Sequence, residues 1–432
     1  MSIAHLFPDL HPAFTPQEAL VESNRCLYCY DAPCTAACPT HIDVPRFIKK
    51  ISTANLRGSA ITILDANLLG ASCSRVCPVD VLCEGACVMH RYNREPIEIA
   101  RLQRHAMEAF YESGDTRLPE LLAPARQLRV ACIGSGPASL SCAGELARRG
   151  HIVTVYESKP LPGGLNTYGV AEYKLRMPDA IREVTFIESL GVEIRCNENV
   201  DVNRLRKIGD EHDAVFLGLG LGRMEPLGIE GEDDISVMDA LKFIAGYKTS
   251  GGTLGAIPTG RQPIEVAEIA GEGGYMTLQS AGAGRKVVVI GAGNTAIDAA
   301  NAARRLGAAE VSMLYRRTVK EMSAFEFEYE HAKKEGVEFR WQVKPIRIVS
   351  ANGKLTGIEC LRIPTSETFT IPCDLIIPAI GQSKNSELLA SVAGNPKFFA
   401  GGDLTNGGRE VVDAVADGKR AALAICERAN HA

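Results

Sequence analysis

The sequence contains no apolar run near the roughly 18 residues that a helix needs to cross a bilayer. It has no excess of basic residues either, since its formal net charge at pH 7 is −5, which argues against nucleic acid as a partner. Its N-terminus lacks a basic stretch followed by an apolar core, so no secretory signal is predicted. These absences favour a cytoplasmic protein that neither spans a membrane nor binds nucleic acid.

Cysteine, by contrast, is abundant, and its placement is informative. Eight of the 14 cysteines lie between Cys26 and Cys87. A dense block of cysteines in a reducing compartment predicts a metal site rather than disulfide bonds. The other six mostly flank apolar residues, which predicts buried thiols that bind no metal. They are Cys132, Cys142, Cys196, Cys360, Cys373 and Cys426.

The cysteine block falls into two groups with the spacing of iron–sulfur ligands. The groups read Cys26-x2-Cys29-x4-Cys34-x3-Cys38-Pro39 and Cys73-x3-Cys77-Pro78-x4-Cys83-x3-Cys87. A [4Fe–4S] cluster takes three thiolates from one loop, and in two-cluster ferredoxins the cysteine before a proline ligates the other cluster. This rule assigns Cys26, Cys29 and Cys34 to one cluster and Cys38 to a second. A disulfide scaffold or two zinc sites are the alternatives, and the spacing disfavours zinc because only one Cys-x2-Cys pair occurs.

Two copies of a strand, glycine turn and helix follow the cysteine block. The first opens at Arg129 and contains Gly134, which permits a tight turn, and Gly136, which lets the backbone approach a pyrophosphate. Its second strand ends at Glu157, whose carboxylate can accept hydrogen bonds from ribose hydroxyls. The unit predicts a dinucleotide site, with a ligand-free βαβ unit as the alternative. Its candidate contacts are Gly134, Gly136, Pro137, Ala138, Ser139 and Glu157.

The second copy opens at Lys286 and differs at the end of its second strand. Arg316 and Arg317 stand there in place of the acid, and two guanidiniums suit the 2′-phosphate of NADP(H). The alternative, in which the arginines contact only pyrophosphate or solvent, stays open, so the nucleotide is written NAD(P)H. The candidate contacts are Gly291, Gly293, Asn294, Thr295, Ala296, Arg316 and Arg317.

With a C-terminal Gly-Gly-Asp that ends at Asp403, the two units resemble the flavoprotein disulfide reductase fold. This is an α/β fold in which an NAD(P) domain is inserted into a discontinuous FAD domain. The resemblance implies that Gly402 and Asp403 contact FAD and that a helix from about Arg409 points its N-terminus at the flavin ring. No Cys-x4-Cys follows the first glycine turn, so disulfide reduction itself is excluded.

The same resemblance divides the chain into domains. An α-helical iron–sulfur domain is predicted at 1–125, the FAD domain at 126–235 and 379–432, and the NAD(P) domain at 236–378. Within the last of these, the glycine-rich stretch 250–284 predicts a long surface excursion.

From about Cys26 to Ala424 the chain resembles the electron-input region of dihydropyrimidine dehydrogenase, and it is also similar to the small subunit of glutamate synthase. The dehydrogenase resemblance implies one cluster on Cys26, Cys29, Cys34 and Cys87 and a second on Cys38, Cys77, Cys83 and Gln103. Gln103 discriminates between the two families because the glutamate synthase type has a glutamate there, and the alternative is that Cys73 is the eighth ligand. The resemblance further implies flavin contacts at Gly164, Leu165 and Lys174, where the animal dehydrogenase has arginine in place of Lys174.

This resemblance implies a function for the whole chain. Electrons would pass from NAD(P)H through FAD and two [4Fe–4S] clusters to a separate FMN- and iron–sulfur-containing catalytic subunit with a TIM barrel, which reduces uracil or thymine. The assembly would be a hetero-oligomer, a heterotetramer in the dehydrogenase type, and no side chain of this chain need act as general acid or base. The alternatives are a glutamate synthase small subunit, a free-standing NAD(P)H oxidoreductase and a non-catalytic assembly subunit.

Overall fold

The computed structural model describes residues 4–121, 124–250 and 283–431. The described residues before Arg129 form helices and turns, and strands follow from Arg129 onward. The helices are α1 (Pro16–Asn24), α2 (Pro33–Ala36), α3 (Val44–Ser52), α4 (Leu56–Ala66), α5 (Gly70–Val76), α6 (Ile99–Glu112), α7 (Pro137–Arg148), α8 (Leu165–Tyr168), α9 (Met177–Ser189), α10 (Val202–Glu211), α11 (Ala240–Ser250), α12 (Asn294–Arg305), α13 (Glu326–Lys334), α14 (Ser386–Ser391), α15 (Asp403–Asn406) and α16 (Val411–His431).

The strands are β1 (Arg129–Ile133), β2 (Ile152–Tyr156), β3 (Val192–Arg195), β4 (Ala214–Leu217), β5 (Leu221–Met224), β6 (Lys286–Ile290), β7 (Glu310–Tyr315), β8 (Glu338–Trp341), β9 (Val343–Ala351), β10 (Lys354–Arg362), β11 (Glu367–Pro372), β12 (Leu375–Pro378), β13 (Gln382–Lys384) and β14 (Phe398–Ala400).

Polar side chains cap three helices of the N-terminal region, α1, α3 and α4. The backbone N–H of Glu18 donates to the Thr15 hydroxyl at 3.3 Å, and Glu18 Oε2 accepts the backbone N–H of Thr15 at 2.8 Å, which forms a capping box before α1. The side chains of Asp43 and Asn55 cap α3 and α4. α6 packs against these helices through a buried apolar stripe, which consists of Ile99, Leu102, Ala106, Met107 and Phe110.

Five parallel strands form the first sheet, in the order β14-β4-β1-β2-β3. All residues of β1 after Arg129 are buried, as expected of a parallel strand that is covered on both faces. β14 comes from the C-terminal part of the chain and places Phe399 opposite Phe216 of β4. α7 and α16 lie against each other, because the Ser141 hydroxyl donates to the carbonyl oxygen of Val415 at 2.8 Å. This sheet and its helices are called the flavin half below.

One hydrophobic core joins the N-terminal helices to the flavin half. Its members from the helices include Ile63, Leu102 and Phe110, and its members from the flavin half include Val130, Leu146 and Phe216. The two parts therefore pack as a single body.

The second sheet has four parallel strands in the order β12-β6-β7-β8. It pairs Lys286 of β6 with Glu310 of β7, and Val287 of β6 with Leu375 of β12. A three-stranded antiparallel sheet, β11-β10-β9, packs beside it, and β5 pairs with β13 in a further two-stranded ribbon. The four-stranded sheet with its helices is called the nicotinamide half.

A strap of chain before α1, from Phe7 to Asp9, contacts all three parts of the molecule. Phe7 is fully buried in the core of the nicotinamide half, where it stacks on Tyr247 with 5.2 Å between ring centroids. Asp9 pairs with Arg104 of α6 at 2.7 Å and with Arg176, which precedes α9, at 3.0 Å.

The structure confirms the predicted α/β class with an N-terminal helical region, and the two predicted strands do open at Arg129 and Lys286. The helix expected from about Arg409 begins instead at Val411, because Glu410 is its N-cap residue, whose carbonyl accepts the N–H of Asp413 at 3.0 Å. The predicted excursion at 250–284 lies mostly outside the described residues, and the domain boundaries stay predictions. No helix in the described ranges is long and apolar enough to cross a membrane.

Candidate functional site

Four cysteines line one cavity beneath α3. The lining of this cavity includes the side chains of Cys26, Cys29, Cys34 and Cys87, and its other lining residues are apolar. Burial, together with the negative charges of Cys26 and Cys87, raises the pKa of Cys34 to about 12. Four thiolates can therefore share this cavity only around a group that brings positive charge. The set of four sulfur donors fits the iron of a [4Fe–4S] cluster.

The second group of cysteines gathers at the C-terminal end of α5. A hydrogen bond that the Cys77 thiol donates to Cys73, burial, and the charges of Cys73, Cys83 and Cys38 all raise the pKa of Cys77 well above its usual value. Burial also raises the pKa of Cys83, with Glu84 and Cys38 as further causes. Cys38, Cys77 and Cys83 thus lie together, and Cys73 lies with them.

Of the two candidates for the eighth ligand, Cys73 lies on α5 and Gln103 contacts the first residue of that helix. Cys73 is buried, and its Sγ accepts a hydrogen bond from Asn67 Nδ2 at 3.2 Å. Gln103 is buried on α6, and its Nε2 donates to the carbonyl oxygen of Gly70 at 2.6 Å. Because the amide nitrogen of Gln103 is used in this way, its amide oxygen is the atom that a metal would take. The choice between Gln103 and Cys73 stays a prediction.

A buried carboxylate joins the flavin half to α5, and the sequence reasoning missed it. Glu183 of α9 accepts the backbone N–H groups of Ala71 at 2.8 Å and Ser72 at 3.0 Å, and also the Ser72 hydroxyl. It is fully buried, and burial raises its pKa to about 7. The sequence carries a signal, because Glu183 lies within the apolar face of α9 that Ala180, Val184 and Ile187 form.

The first glycine turn has room for a ligand at Gly136. Gly134 has φ +85, and a Cβ there would lie 2.7 Å from the carbonyl oxygen of Gly218. A Cβ on Gly136 would meet nothing within 4 Å, whereas one on Gly164 would lie 2.7 Å from the Cα of Gly136. Protein packing accounts for Gly134 and Gly164 but not for Gly136. The free space before Pro137, the first residue of α7, is where the phosphates of a dinucleotide fit.

The other predicted flavin contacts surround this turn. Glu157 is buried, and its carboxylate accepts the backbone N–H of Ser135 at 2.9 Å and that of Lys159 at 2.8 Å. Gly402 approaches the turn closely, because a Cβ on it would lie 2.9 Å from the Cβ of Ala138. Burial raises the pKa of Asp403, the first residue of α15. Leu165 begins α8, and the Ser139 hydroxyl faces the carbonyl of Ile133 at 3.5 Å.

The second glycine turn repeats the first. Gly291 has φ +135, and Gly293 is the N-cap of α12, so Asn294, Thr295 and Ala296 form the first helical turn. Asn294 Oδ1 accepts the backbone N–H of Phe325 at 3.2 Å.

The two predicted arginines follow β7. Arg316 and Arg317 are both exposed, and they stand directly after Tyr315, the last residue of that strand. Their part in nucleotide choice stays a prediction.

Lys174 lies between the two halves, where it pairs with two acids that the sequence reasoning missed. Its Nζ is 2.6 Å from Asp298 of α12 and 2.7 Å from Glu328 of α13. Burial lowers the pKa of Lys174, but these two carboxylates raise it more, so the net pKa lies above its usual value. The predicted contact of Lys174 with the flavin stays a prediction, since the contacts that the structure gives it are acidic.

Comparison with known proteins agrees with this division of the chain. Residues 3–115 match the family described as dihydropyrimidine dehydrogenase domain II, 4Fe-4S cluster, and residues 128–415 match pyridine nucleotide-disulphide oxidoreductase. The chain is 31% identical to the glutamate synthase [NADPH] small chain of Escherichia coli, over 97% of this chain and 93% of that one. It is 32% identical to the NAD-dependent dihydropyrimidine dehydrogenase subunit PreT of E. coli, over 96% of each chain.

A solved structure shares the fold. Thioredoxin reductase of Lactococcus lactis covers 71% of this chain and 100% of its own, with a TM-score of 0.54 and 19% identity. The chain thus belongs to the pyridine nucleotide-disulphide oxidoreductase family, as an NAD(P)-dependent flavin and iron–sulfur member related to PreT and to the glutamate synthase small chain.

Proposed function

We propose that this chain takes electrons from NAD(P)H through FAD and passes them, through two [4Fe–4S] clusters, to a catalytic subunit that contains FMN and reduces uracil or thymine to the 5,6-dihydro form. The cavity lined by four cysteines supports the electron route most directly, because it shares one hydrophobic core with the flavin half. Bound FAD would take up a hydride and release electrons singly, which is the form that clusters carry.

The residues of this chain would bind and place these groups. Gly136 leaves the space for the FAD pyrophosphate, and Glu157 presents a fixed carboxylate for the ribose. Gly293 and the first turn of α12 would receive the pyrophosphate of NAD(P)H. Cys26, Cys29, Cys34 and Cys87 would hold the first cluster. The second would take Cys38, Cys77, Cys83 and Gln103.

Gln103 and the relative PreT favour pyrimidine reduction by the partner, since the glutamate synthase type of the resemblance has a glutamate at this position. The 31% identity to a glutamate synthase small chain supports a second candidate function, the supply of electrons to a glutamate-forming partner.

Co-expression with each class of partner separates the two functions. We expect the chain to assemble with an FMN-containing barrel subunit, and the complex to convert uracil to dihydrouracil with NADH or NADPH. Flavin absorbance of the isolated chain should bleach under anaerobic NAD(P)H. Assembly with a large glutaminase-bearing subunit, with glutamate as the product, would instead establish the second function. A sample with stoichiometric flavin but no iron or acid-labile sulfide would refute both.

Paired variants test the eighth ligand. Gln103→Ala should disturb the electron paramagnetic resonance signal of one cluster, because it removes an oxygen ligand, whereas Cys73→Ser should leave both signals unchanged. The opposite result would transfer the ligand role to Cys73.

A double variant tests the nucleotide. Arg316→Ala with Arg317→Ala should raise the KM for NADPH by an amount that corresponds to about 1–3 kcal/mol, since charged hydrogen bonds to the 2′-phosphate are lost. The KM for NADH should change much less. Equal changes for both nucleotides would show that no 2′-phosphate binds there.

A further inference from the structure

A continuous set of polar side chains lies buried between the flavin half and the nicotinamide half. Asn301 Nδ2 donates to the Tyr173 hydroxyl at 3.0 Å, and that hydroxyl donates to Asp298 at 2.9 Å. Lys174 then connects Asp298 to Glu328 through its two ion pairs, at 2.6 and 2.7 Å. This set, together with Asn166 and Glu172, is called the nicotinamide seam below.

The nicotinamide seam has acceptors that lack donors. Within the described residues, four buried side-chain oxygens of the seam have no hydrogen-bond partner, namely Asn166 Oδ1, Glu172 Oε1, Asn301 Oδ1 and Glu328 Oε2. A buried acceptor without a donor is costly, so such a site calls for a bound water or a proton. All four unmet atoms are acceptors, which points to protons or water molecules rather than to an anion.

The seam also carries more negative than positive charge. Glu172 has a cation of its own, because Lys248 Nζ lies 3.7 Å from its carboxylate. Lys174 alone faces two carboxylates, those of Asp298 and Glu328. A buried surplus of carboxylates holds protons more readily than solvated acids do.

The surplus extends to Glu410, at the start of α16. Burial and the charge of Glu328, against the opposing charge of Lys174, raise the pKa of Glu410 to about 7. Asp413 and Asp403 act on Glu410 in the same direction as Glu328. Burial also raises the pKa of Glu328 itself. Glu410 can therefore hold a proton close to neutral pH, and the pKa of Glu328 is shifted in the same direction.

Glu410 belongs to the flavin half and is influenced electrostatically by Glu328 and Lys174 of the seam. Glu410 is the N-cap residue of α16 and lies seven residues after Asp403 of the Gly-Gly-Asp turn (410 − 403). At the other end, His331 follows Glu328 by one helical turn on α13, is partly exposed, and lies 3.6 Å from Glu335. The titratable groups thus extend from the flavin motif toward the surface.

The proposed electron route leaves one proton to be removed. When the C–H bond of NAD(P)H breaks, NAD(P)+ forms and a hydride, which is two electrons and one proton, enters the flavin half. The two electrons leave one at a time through the clusters, which carry no proton. For each nucleotide oxidised, one proton must therefore reach solvent by a different route.

We propose that Glu328 and Glu410 carry this proton from the flavin half to solvent, with Lys174 as the residue that positions Glu328. This inference rests on the proposed entry of electrons from NAD(P)H and on their exit through clusters. It does not depend on the identity of the final acceptor.

Neutral variants of the holoenzyme test the route. Glu328→Gln and Glu410→Gln keep the size of each side chain but remove its titrating proton. The matched control is Glu330→Gln, on the same helix, where the side chain is 46% exposed and pairs with Lys333. Two rates are compared, namely flavin bleaching by NAD(P)H in a stopped-flow instrument and turnover with ferricyanide as a one-electron acceptor, each in H2O and D2O.

We expect bleaching to stay close to the wild-type rate, because the hydride arrives before the proton leaves. Turnover should slow by roughly tenfold or more in each variant, and its pH dependence and solvent isotope effect should change, as is usual when a proton-transfer group is lost. Glu328→Asp, which keeps a carboxylate, should restore part of the rate. Glu330→Gln should behave as wild type.

A spectroscopic readout is independent of turnover. Addition of NAD(P)H should change the infrared carbonyl band of a protonated carboxylic acid, and Glu328→Gln or Glu410→Gln should remove that change. Wild-type turnover, pH profile and infrared spectrum in both variants would overturn the proposal, as would an equal slowing of bleaching and turnover, which indicates structural damage. If NAD(P)H fails to bleach the wild-type flavin, the proposed function itself fails.

Discussion

The flavin half meets its two neighbours through seams of opposite character. Toward the N-terminal helices, Glu183 is fully buried and receives three hydrogen bonds, two of them from the backbone at the start of α5. Arg75 of α5 pairs there with Asp179 of α9 at 3.9 Å. Among the described residues, the buried atoms without a hydrogen-bond partner at this contact are the Tyr111 hydroxyl and Arg148 Nε, whereas toward the nicotinamide half they are four amide and carboxylate oxygens. The first contact is called the iron–sulfur seam.

This difference is consistent with the proposed routes for electrons and for protons. A single hydrophobic core crosses the iron–sulfur seam, and its carboxylate is satisfied by fixed backbone donors, so distances between a flavin and a cluster would stay constant. The nicotinamide seam has spare acceptors and surplus charge, which suits water and protons. A rigid iron–sulfur seam would suit electron transfer, which depends on constant distances between cofactors. A nicotinamide seam with unpartnered acceptors would suit the removal of the proton that remains after hydride transfer.

The largest expected effect is at the iron–sulfur seam. Glu183→Ala removes the shared acceptor of three donors, and we expect a loss of about 3–5 kcal/mol in the free energy of unfolding, because two backbone N–H groups and a hydroxyl are left buried without an acceptor. Urea unfolding measures this loss. Iron content should fall as well, because Cys77 follows α5 directly. Glu193→Ala, at a side chain that is 55% exposed, is the control and should cost little. If Glu183→Ala lowers the free energy of unfolding only slightly, the proposed difference between the two seams is wrong.

A smaller effect is expected at the nicotinamide seam. Lys174→Met leaves Asp298 and Glu328 without their cation, and we expect a loss of about 1–3 kcal/mol at neutral pH. Burial already raises the pKa of Glu328, and removal of the opposing cation raises it more. The folded variant therefore gains protons relative to the unfolded chain as the pH falls, and the loss shrinks. Thermal unfolding at acidic and at neutral pH measures the difference. A loss that does not depend on pH would contradict the seam's ability to take up protons.

The third expected effect is a change in the slope of the free energy of unfolding against pH. The pKa of Glu183 is raised from 4.5 to about 7 in the folded state, so between these values the folded protein binds more protons than the unfolded chain. The free energy of unfolding then falls with rising pH, by up to about 1.4 kcal/mol per pH unit for one proton. Glu183→Gln should remove this contribution and flatten the curve across that window. Glu193→Gln should leave the slope as in the wild type.

Features that depend on residues close together in sequence were predicted better than contacts between residues far apart in sequence. The glycine turns at Gly134 and Gly291 and the spacing of the cysteines depend on neighbours in sequence, and the strands that precede the turns begin where predicted. The partners of Glu183 lie 111 and 112 residues away, and no spacing rule connects positions so distant. Lys174 was predicted as a flavin contact because the resemblance supplied one neighbour, while its acidic partners come from another half of the chain.

The strap from Phe7 to Asp9 bears on how the chain is made. Phe7 is synthesised before its ring partner, Tyr247, which follows 240 residues later (247 − 7). Contacts between residues so far apart in sequence form slowly, because the entropy of a long loop must be lost before the contact stabilises the chain. Phe7 must therefore stay undocked until those 240 residues have been made, and its insertion would report that the three parts have been assembled.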